Sequence, residues 1–171
     1  MDSKVTPKGD RPQIISRASL SQEQLSDFLA AHAGVTVVDA YQQQIEDLQA
    51  IHYEIDAEEA WVYYPWADKL LHCVGSDALF ALRTNRNKLL ITAEEQERLR
   101  RAVVGVAGMS VGSGIALGCV YSGISDTVKI ADRDTLDTSN LNRLRESLLS
   151  VGQPKLSLPT QRSYELNPFA A

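Results

Sequence analysis

An uncharged, glycine-rich segment constrains the fold of this chain more than any other feature. No residue between 102 and 125 carries a charge, and glycine and serine supply much of the segment. Residues 103–106 have the pattern of a buried parallel strand that enters a glycine-rich turn. Residues 111–122 are small and apolar, as in a helix packed on a sheet, and residues 127–131 form a second strand pattern. A strand, a glycine turn, a helix and a strand predict the start of a doubly wound α/β domain.

A membrane helix is the competing interpretation of the same segment, because its length would span a bilayer. Small residues spaced four apart, such as Gly108 and Gly112, also pack membrane helices together. The flanks favour a domain outside the membrane, since a charged helix pattern with a capping box precedes the segment and a strand pattern follows it. We therefore expect no membrane span.

Composition excludes several classes of protein. The 171 residues carry 17 Lys+Arg against 22 Asp+Glu, a net charge of −5, which argues against binding to a nucleic-acid backbone. Cys73 and Cys119 have no paired spacing, so we expect neither a disulfide framework nor a four-thiolate zinc site within this chain. The polar first residues lack the apolar core of a secretory signal, which predicts a cytoplasmic protein.

The first half of the chain predicts a small α/β region without identifiable chemistry. Residues 1–18 look like a loose leader, and Ser21 with Gln24 forms a capping box that starts a helix. Further patterns predict strands at 35–38 and 61–64, and helices at 41–51, around 67–73 and at 77–82. The aromatic residues between 61 and 66 are interpreted as packed core.

The glycine turn at 107–114 is a candidate phosphate cradle. Glycines let the backbone approach a phosphate, and the following helix offers free amides, so Gly108, Ser110 and Gly112 are candidate nucleotide-binding residues. The turn lacks the Gly-Lys pair of a Walker loop and has the spacing Gly-x-x-x-Gly-x-Gly. Asp132 ends the second strand about 20 residues later, where a carboxylate meets ribose hydroxyls in such folds. A strand-end cap and a solvated acid of the turn are the alternative roles for Asp132.

The residues after the second strand carry a more specific pattern. An Asp-x-Asp pair at 132–134 is followed by Ser-Asn-Leu-x-Arg at 139–143, then by Val-Gly-x-x-Lys at 151–155 and later by Asn-Pro at 167–168. Upstream, residues 83–86 form an Arg-x-x-Arg element of the kind that precedes the first helix in one protein family. Together these motifs resemble the nucleotide-binding core of the ThiF/MoeB/HesA superfamily, the bacterial relatives of ubiquitin-activating enzymes. The sequences of the glycine turn and of residues 64–66 and 83–99 are similar to those of a subgroup in which this domain is fused to a nitroreductase-like domain. The resemblance covers residues 83–168.

The resemblance implies an ATP-dependent adenylation, in which a carboxylate attacks the α-phosphate of ATP to give an acyl-adenylate and pyrophosphate. It assigns Asp132 to the ribose, with Asp134 in the same nucleotide-binding pattern, and Asn140 to a phosphate. Arg143 and Lys155 would neutralise the phosphates. Arg86 would reach a triphosphate bound by a neighbouring protomer, which implies a homodimer. Without the motif, the cations would be ordinary surface residues and Asn140 a helix cap.

The pattern also breaks in places. The family's magnesium ligand, an aspartate, lies on a later strand, and no candidate follows Asn-Pro in this sequence. We therefore expect residues 1–82 to be an N-terminal region and residues 83–171 the first part of a ThiF-type adenylation domain with an incomplete parallel sheet. Full activity with ATP and Mg²⁺ would belong to a longer protein. Pro159 falls inside an expected helix, which puts the placement of Lys155 in question.

Three interpretations of function stay open at this point. The first is adenylation of a ubiquitin-like or sulfur-carrier protein C-terminus, or of a small acyl substrate; an amino acid and a modified tRNA base are also compatible with the family. The second is a nicotinamide-dependent oxidoreductase, but no tyrosine has a lysine four residues later, as short-chain dehydrogenases require. The third is a nucleotide-binding module without catalytic activity.

Overall fold

A computed structural model describes residues 8–54 and 57–171 of the chain, and these divide into two compact units. One unit comprises Arg11–Arg86, and the other comprises Asn87–Ala171 together with the short turn Lys8–Asp10. The predicted boundary at residue 82 stays a prediction about domains. The strands are β1 (Gln13–Ser16), β2 (Thr36–Asp39), β3 (Glu59–Tyr64), β4 (Lys69–Val74), β5 (Val103–Ala107) and β6 (Thr127–Ala131). The α-helices are α1 (Gln22–Ala31), α2 (Tyr41–Ala50), α3 (Ser76–Thr84), α4 (Ala93–Arg100), α5 (Gly112–Tyr121) and α6 (Ser157–Leu166).

The unit of residues 11–86 is built on a mixed four-stranded sheet in the order β1-β3-β4-β2. The β1–β3 and β3–β4 pairs are antiparallel, and β2 pairs with β4 in parallel. Two buried clusters hold the helices on this sheet. Leu48 of α2 packs with Val74 and the helix α3, while Trp61 and Leu70 pack with apolar residues before and within α1. The predicted aromatic core is confirmed, since Trp61, Tyr63 and Tyr64 are buried.

Local helix signals in the sequence are confirmed in detail. Ser21 and Gln24 form the predicted capping box of α1, in which each side chain accepts a hydrogen bond from the other residue's backbone N–H. Thr92 and Glu95 do the same at the start of α4. Such caps satisfy amides that the first helical turn leaves without partners.

Two expectations for the first unit are wrong. The helix expected around 67–73 is the strand β4, because Asp68, at φ 47°, closes a tight turn after β3 and every residue of β4 then pairs with β3. A short apolar run does not distinguish the two structures by periodicity alone. The loose leader is also wrong from residue 13 onward, where β1 pairs with β3, whereas residues 1–7 lie outside the described part.

The unit of residues 87–171 contains the predicted strand–turn–helix–strand. Strands β5 and β6 are parallel, with Val103 opposite Thr127, and α5 packs against both strands and against α6. The backbone of Ala171 accepts from Val128 N–H at 3.1 Å and donates to Asp126 at 2.8 Å, which is the alternation of a parallel ladder. The parallel α/β core expected from the sequence is therefore confirmed.

Strand β5 is not the fully buried strand that its apolar sequence predicted. Its burial alternates, and Val103 is 61% exposed. The reason is that α5 covers one face of the two-stranded sheet, while no described element covers the other. An all-apolar strand needs cover on both faces to be buried throughout.

Pro159 does not disturb α6. The helix begins at Ser157, so the proline occupies the third position of the first turn. The N–H groups there have no intrahelical acceptor, and a residue without an N–H therefore costs no hydrogen bond. In the described residues, no helix has both the length and the apolar character that crossing a membrane would require.

Close packing of α5 on β5 predicts opposite effects for two neighbouring glycines. A Cβ on Gly112 would lie 2.7 Å from Val106 Cγ1, whereas one on Gly114 meets nothing within 4 Å. We expect Gly112→Ala to destabilise the unit by about 1–3 kcal/mol through overpacking. Gly114→Ala should be neutral or stabilise it by up to about 1 kcal/mol, since alanine favours the helix. Urea unfolding of both variants tests this, and equal effects would contradict the packing described.

Candidate functional site

The glycine turn joins β5 to α5 through a left-handed residue. Gly108 has φ 86°, a conformation that favours glycine, and its N–H donates to Ala131 at the end of β6 at 2.7 Å. No side chain of the described residues caps the N-terminus of α5, where Val111 holds the capping position. Gly112 lies against Val106, so its missing side chain serves helix–strand packing. The turn thus leads into the positive end of a ten-residue helix, while the N–H groups of Gly108 and Gly112 already donate to the backbone oxygens of Ala131 and Gly108.

Asp132 fastens this turn to the end of β6. Its Oδ2 accepts the N–H of Met109 at 2.6 Å, and its Oδ1 accepts the N–H of Asp134 at 2.8 Å. Partial burial opposes ionisation, but these two hydrogen bonds and the charge of Lys155 outweigh it and hold the pKa of the Asp132 carboxyl below its ordinary value. A carboxylate has about four acceptor sites, so each oxygen retains one for a ligand hydroxyl.

Lowering the pH should weaken the attachment of the glycine turn to β6 through Asp132. Because the pKa of Asp132 is lowered on folding, its stabilisation is present above the ordinary carboxyl pKa of about 3.9 and is lost as the pH falls through the lower folded value. We expect wild type to be more stable than Asp132→Ala at pH 7 and the difference to shrink toward pH 2.5. Urea unfolding across this range measures it, and a difference independent of pH would contradict this attachment.

Lys155 lies near Asp132 because backbone hydrogen bonds join the loop of residues 134–136 to the loop of residues 152–155; these two paired segments are called the clamp below. Its N–H donates to the carbonyl of Asp134 at 2.9 Å, and its Nζ lies 3.2 Å from Asp134 Oδ2. Two further backbone hydrogen bonds extend the clamp: the N–H of Leu136 donates to Gln153, and the N–H of Gly152 donates to Leu136, each at 2.8 Å. The Lys155 side chain is only 9% exposed, while that of Asp134 is 60% exposed. The clamp therefore holds a mostly buried ammonium group beside Asp132.

Asn140 closes the loop that follows. It lies in a short 3-10 helix, Thr138–Asn142, where its Oδ1 accepts the N–H of Asp137 at 3.2 Å as part of a capping box. The residue is 7% exposed. Its carbonyl oxygen thus has a structural role, and the Nδ2 group is the part of this side chain that could donate to a phosphate.

Arg143 lines a groove beside the glycine turn. The groove has a volume of about 570 Å³ and also contains Ser110, Ser113 and Gly114. A much smaller cavity of about 10 Å³ contains Lys155 and Met109. Ser113 and Glu146 line both cavities, so the two predicted cations line neighbouring cavities that share these residues. The guanidinium group of Arg143 is exposed and donates to Asn142 Oδ1 at 2.9 Å.

The structure thus brings Asp132, Asp134 and Lys155 together at the turn, and Arg143 onto the groove that the turn opens into. Arg86 is an exposed residue at the end of the unit of residues 11–86, and its role at a triphosphate stays a prediction. Cys73 is buried, and burial raises the pKa of its thiol to about 12, which fits the structural role expected for it.

Sequence reasoning missed other residues of the groove. They are Ser113, Arg145, Glu146 and Arg162. Arg145 and Glu146 come two and three residues after the last residue of the Asn-Leu-x-Arg motif, which is the one signal that could have drawn attention to them. Arg162 lies on α6, and only tertiary packing of α6 against α5 places it here.

The carboxylates at the turn do not form a magnesium site. No group of three or more His, Cys, Asp or Glu side chains within residues 8–54 and 57–171 could hold a metal ion. Asp132 accepts two backbone N–H groups and Asp134 is paired with Lys155, so neither presents a free oxygen cluster.

Comparison with known proteins identifies the family. Residues 84–171 match the model of the ThiF family. The chain belongs to the ThiF family. This confirms the superfamily expected from the Asp-x-Asp to Val-Gly-x-x-Lys pattern, while the relation to the nitroreductase-fused subgroup stays a prediction.

Two curated relatives extend the comparison. The chain is 35% identical over 150 residues to an uncharacterized protein, MT1398, of Mycobacterium tuberculosis (strain CDC 1551 / Oshkosh), covering 85% of this chain and 21% of that protein. It is 40% identical over 86 residues to a tRNA threonylcarbamoyladenosine dehydratase of Bacillus subtilis (strain 168), covering 49% of this chain and 34% of that protein. The chain therefore spans about a fifth and about a third of the lengths of these two relatives.

Proposed function

We propose that this chain supplies the first part of the ATP site of an adenylating enzyme. In the proposed reaction, a substrate carboxylate attacks the α-phosphate of ATP, an acyl-adenylate forms, and pyrophosphate leaves. The observation that carries the proposal is the hydrogen bond of 2.6 Å between Met109 N–H and Asp132 Oδ2. It joins the glycine turn to the acid that ends β6, which is the place where α/β folds of this kind bind a nucleotide.

Each proposed role follows from the chemistry of the residue. The remaining acceptor sites of Asp132 suit the two ribose hydroxyls, and the backbone amide of Ser110 suits a phosphate. The N–H groups of Gly108 and Gly112 already donate to the backbone oxygens of Ala131 and Gly108, so these glycines would contribute close approach of the backbone. Lys155 and Arg143 would stabilise the negative charge that spreads over the phosphate oxygens as pyrophosphate leaves. Asn140 would add a neutral donor.

The acyl substrate is a separate question. The candidates are a ubiquitin-like or sulfur-carrier protein C-terminus, a small acyl compound, and a modified tRNA base. The relative from Bacillus subtilis is named for a modified adenosine of tRNA, which supports the last candidate. The net charge of −5 favours the others. A homodimer in which Arg86 reaches the partner's triphosphate, and a cytoplasmic location, belong to the same proposal.

Exchange of labelled pyrophosphate into ATP by the full-length protein tests the adenylation. We expect Arg143→Ala to reduce the exchange rate at least about 100-fold, because the loss of one preorganised charged donor has an effect of this size. Arg98→Ala, an exposed arginine on α4, changes the net charge equally and should leave the rate unchanged. Unchanged exchange in Arg143→Ala would defeat the assignment.

Measuring ATP binding beside pyrophosphate exchange distinguishes an adenylating enzyme from a nucleotide-binding module without catalytic activity. Adenylation requires both ATP binding and pyrophosphate exchange in the presence of the acyl substrate. ATP binding without exchange by the full-length protein would favour the module. The ThiF family match favours adenylation over the nicotinamide-dependent oxidoreductase.

A further inference from the structure

The groove beside the glycine turn contains more positive charge than the family motif accounts for. Arg143 is the motif residue, but Arg145 and Arg162 also line the groove. They come from different parts of the chain, since Arg145 follows the 3-10 helix Thr138–Asn142 and Arg162 lies on α6. All three arginines are exposed. Three guanidinium groups therefore converge on one groove in a chain whose net charge is −5.

The two additional arginines are not engaged in holding the fold. Among the described residues, neither Arg145 nor Arg162 makes a hydrogen bond or an ion pair within 4.0 Å. Arg162 acts on Glu146 through its charge, and Glu146 is the one carboxylate lining the groove. Burial raises the pKa of Glu146, and the charge of Arg162 opposes this effect. Three arginines thus line a groove that contains one half-buried carboxylate.

We propose that Arg145 and Arg162 form a second oxyanion subsite next to Arg143, which takes a pyrophosphate-class anion, and that Glu146 is the counter-anion of the empty subsite. The proposal rests on the proposed ATP site for the source of its ligand. That source is either the two terminal phosphates of bound ATP or free pyrophosphate, which share the same chemistry.

Geometry and chemistry favour this class of ligand. Arginine presents a planar set of donors that binds phosphate oxygens in pairs, and two arginines from separate elements suit an anion with two phosphate groups. The groove, at about 570 Å³, is larger than one phosphate requires. It is continuous with the nucleotide turn through Ser110 and Ser113, so the subsite lies where a polyphosphate would extend.

Glu146 gives the proposal a prediction of opposite sign. An arriving anion must displace or neutralise the Glu146 carboxylate, since like charges repel in a partly buried place. Replacing Glu146 with the neutral Gln should therefore tighten anion binding, whereas replacing either arginine should weaken it. A structural role for Glu146 would not produce tighter binding.

Titration calorimetry of the 171-residue chain with pyrophosphate, ATP and AMP in metal-free buffer tests the subsite. We expect Arg145→Ala and Arg162→Ala each to weaken pyrophosphate and ATP binding about tenfold, the size expected for one charge-assisted contact. AMP lacks the terminal phosphates, so its affinity should not change in these variants. Glu146→Gln should tighten pyrophosphate binding several-fold, and Arg98→Ala should match wild type.

The outcomes separate the two proposals. In one outcome, the wild-type chain binds ATP and AMP, and the three groove variants bind pyrophosphate and ATP with unchanged affinity. This outcome would overturn the subsite and leave the nucleotide site standing. Pyrophosphate binding that depends on Arg145 and Arg162, without AMP binding, would support the subsite and count against the nucleotide site. Absence of pyrophosphate and ATP binding in wild type would overturn the subsite. If an arginine variant fails to fold, Glu146→Gln alone decides, since unchanged or weaker binding would overturn the proposal.

Discussion

Asp132→Ala is expected to lower the affinity of the chain for ATP about 100-fold. Each charge-assisted hydrogen bond to a ribose hydroxyl contributes about 1.5–3 kcal/mol, so losing the carboxylate removes at least that amount. The variant also releases the Met109 N–H, which Asp132 holds at 2.6 Å, and the turn loses its attachment to β6. Calorimetric titration with ATP measures the affinity.

Asp134→Asn is the matched control for this prediction. Asp134 is two residues away and carries the same charge, but its side chain is 60% exposed and contacts Lys155 rather than the turn. Solvent screens such an exposed carboxylate, so ATP affinity should change only a few-fold. Equal losses in Asp132→Ala and Asp134→Asn would show a nonspecific effect of charge and would contradict the role of Asp132.

Lys155→Met is expected to reduce pyrophosphate exchange by the full-length protein about 100- to 1,000-fold. Methionine keeps the apolar stem that lies in the small cavity with Met109 and removes only the ammonium group. Loss of one charged donor to the developing phosphate charge has an effect of this size on the rate. The remaining Asp134 partner is well solvated, so unfolding free energy should change by less than about 1 kcal/mol.

The combination of these two results is the informative part. A large loss of exchange with unchanged stability places Lys155 at the reacting phosphates. A large loss of stability with a proportional loss of exchange would instead mean that Lys155 acts by holding the two loops together through its ion pair with Asp134. Wild-type exchange in Lys155→Met would contradict the assignment of this residue.

Local signals carried most of what could be predicted about the fold. The capping boxes at Ser21 and Thr92 depend on residues three apart, and both form as expected. The strand–turn–helix–strand order depends on glycine spacing and apolar runs, and it also holds. The strand β4 was missed because a short segment with only four apolar residues is compatible with either structure, and only pairing with β3 decides between them.

In the candidate site too, local sequence signals predict some features, whereas others depend on tertiary contacts. The position of Asp132 at the end of β6 could be predicted, because the carboxyl end of a parallel strand adjoins the turn. Its hydrogen bond to Met109 and the pairing of Lys155 with Asp134 could not, because they depend on how two loops fold back on each other. Likewise, Arg162 joins the groove only through the packing of α5 on α6.

Backbone amide NMR of the ¹⁵N-labelled chain during titration with ATP tests the central claim most directly. The account predicts that the largest shifts fall on the turn at 108–112, on Asp132 and Asp134, and on Lys155, and that Asp132→Ala abolishes them. Shifts confined to residues 11–86, or none at millimolar ATP, would contradict a nucleotide site at this turn.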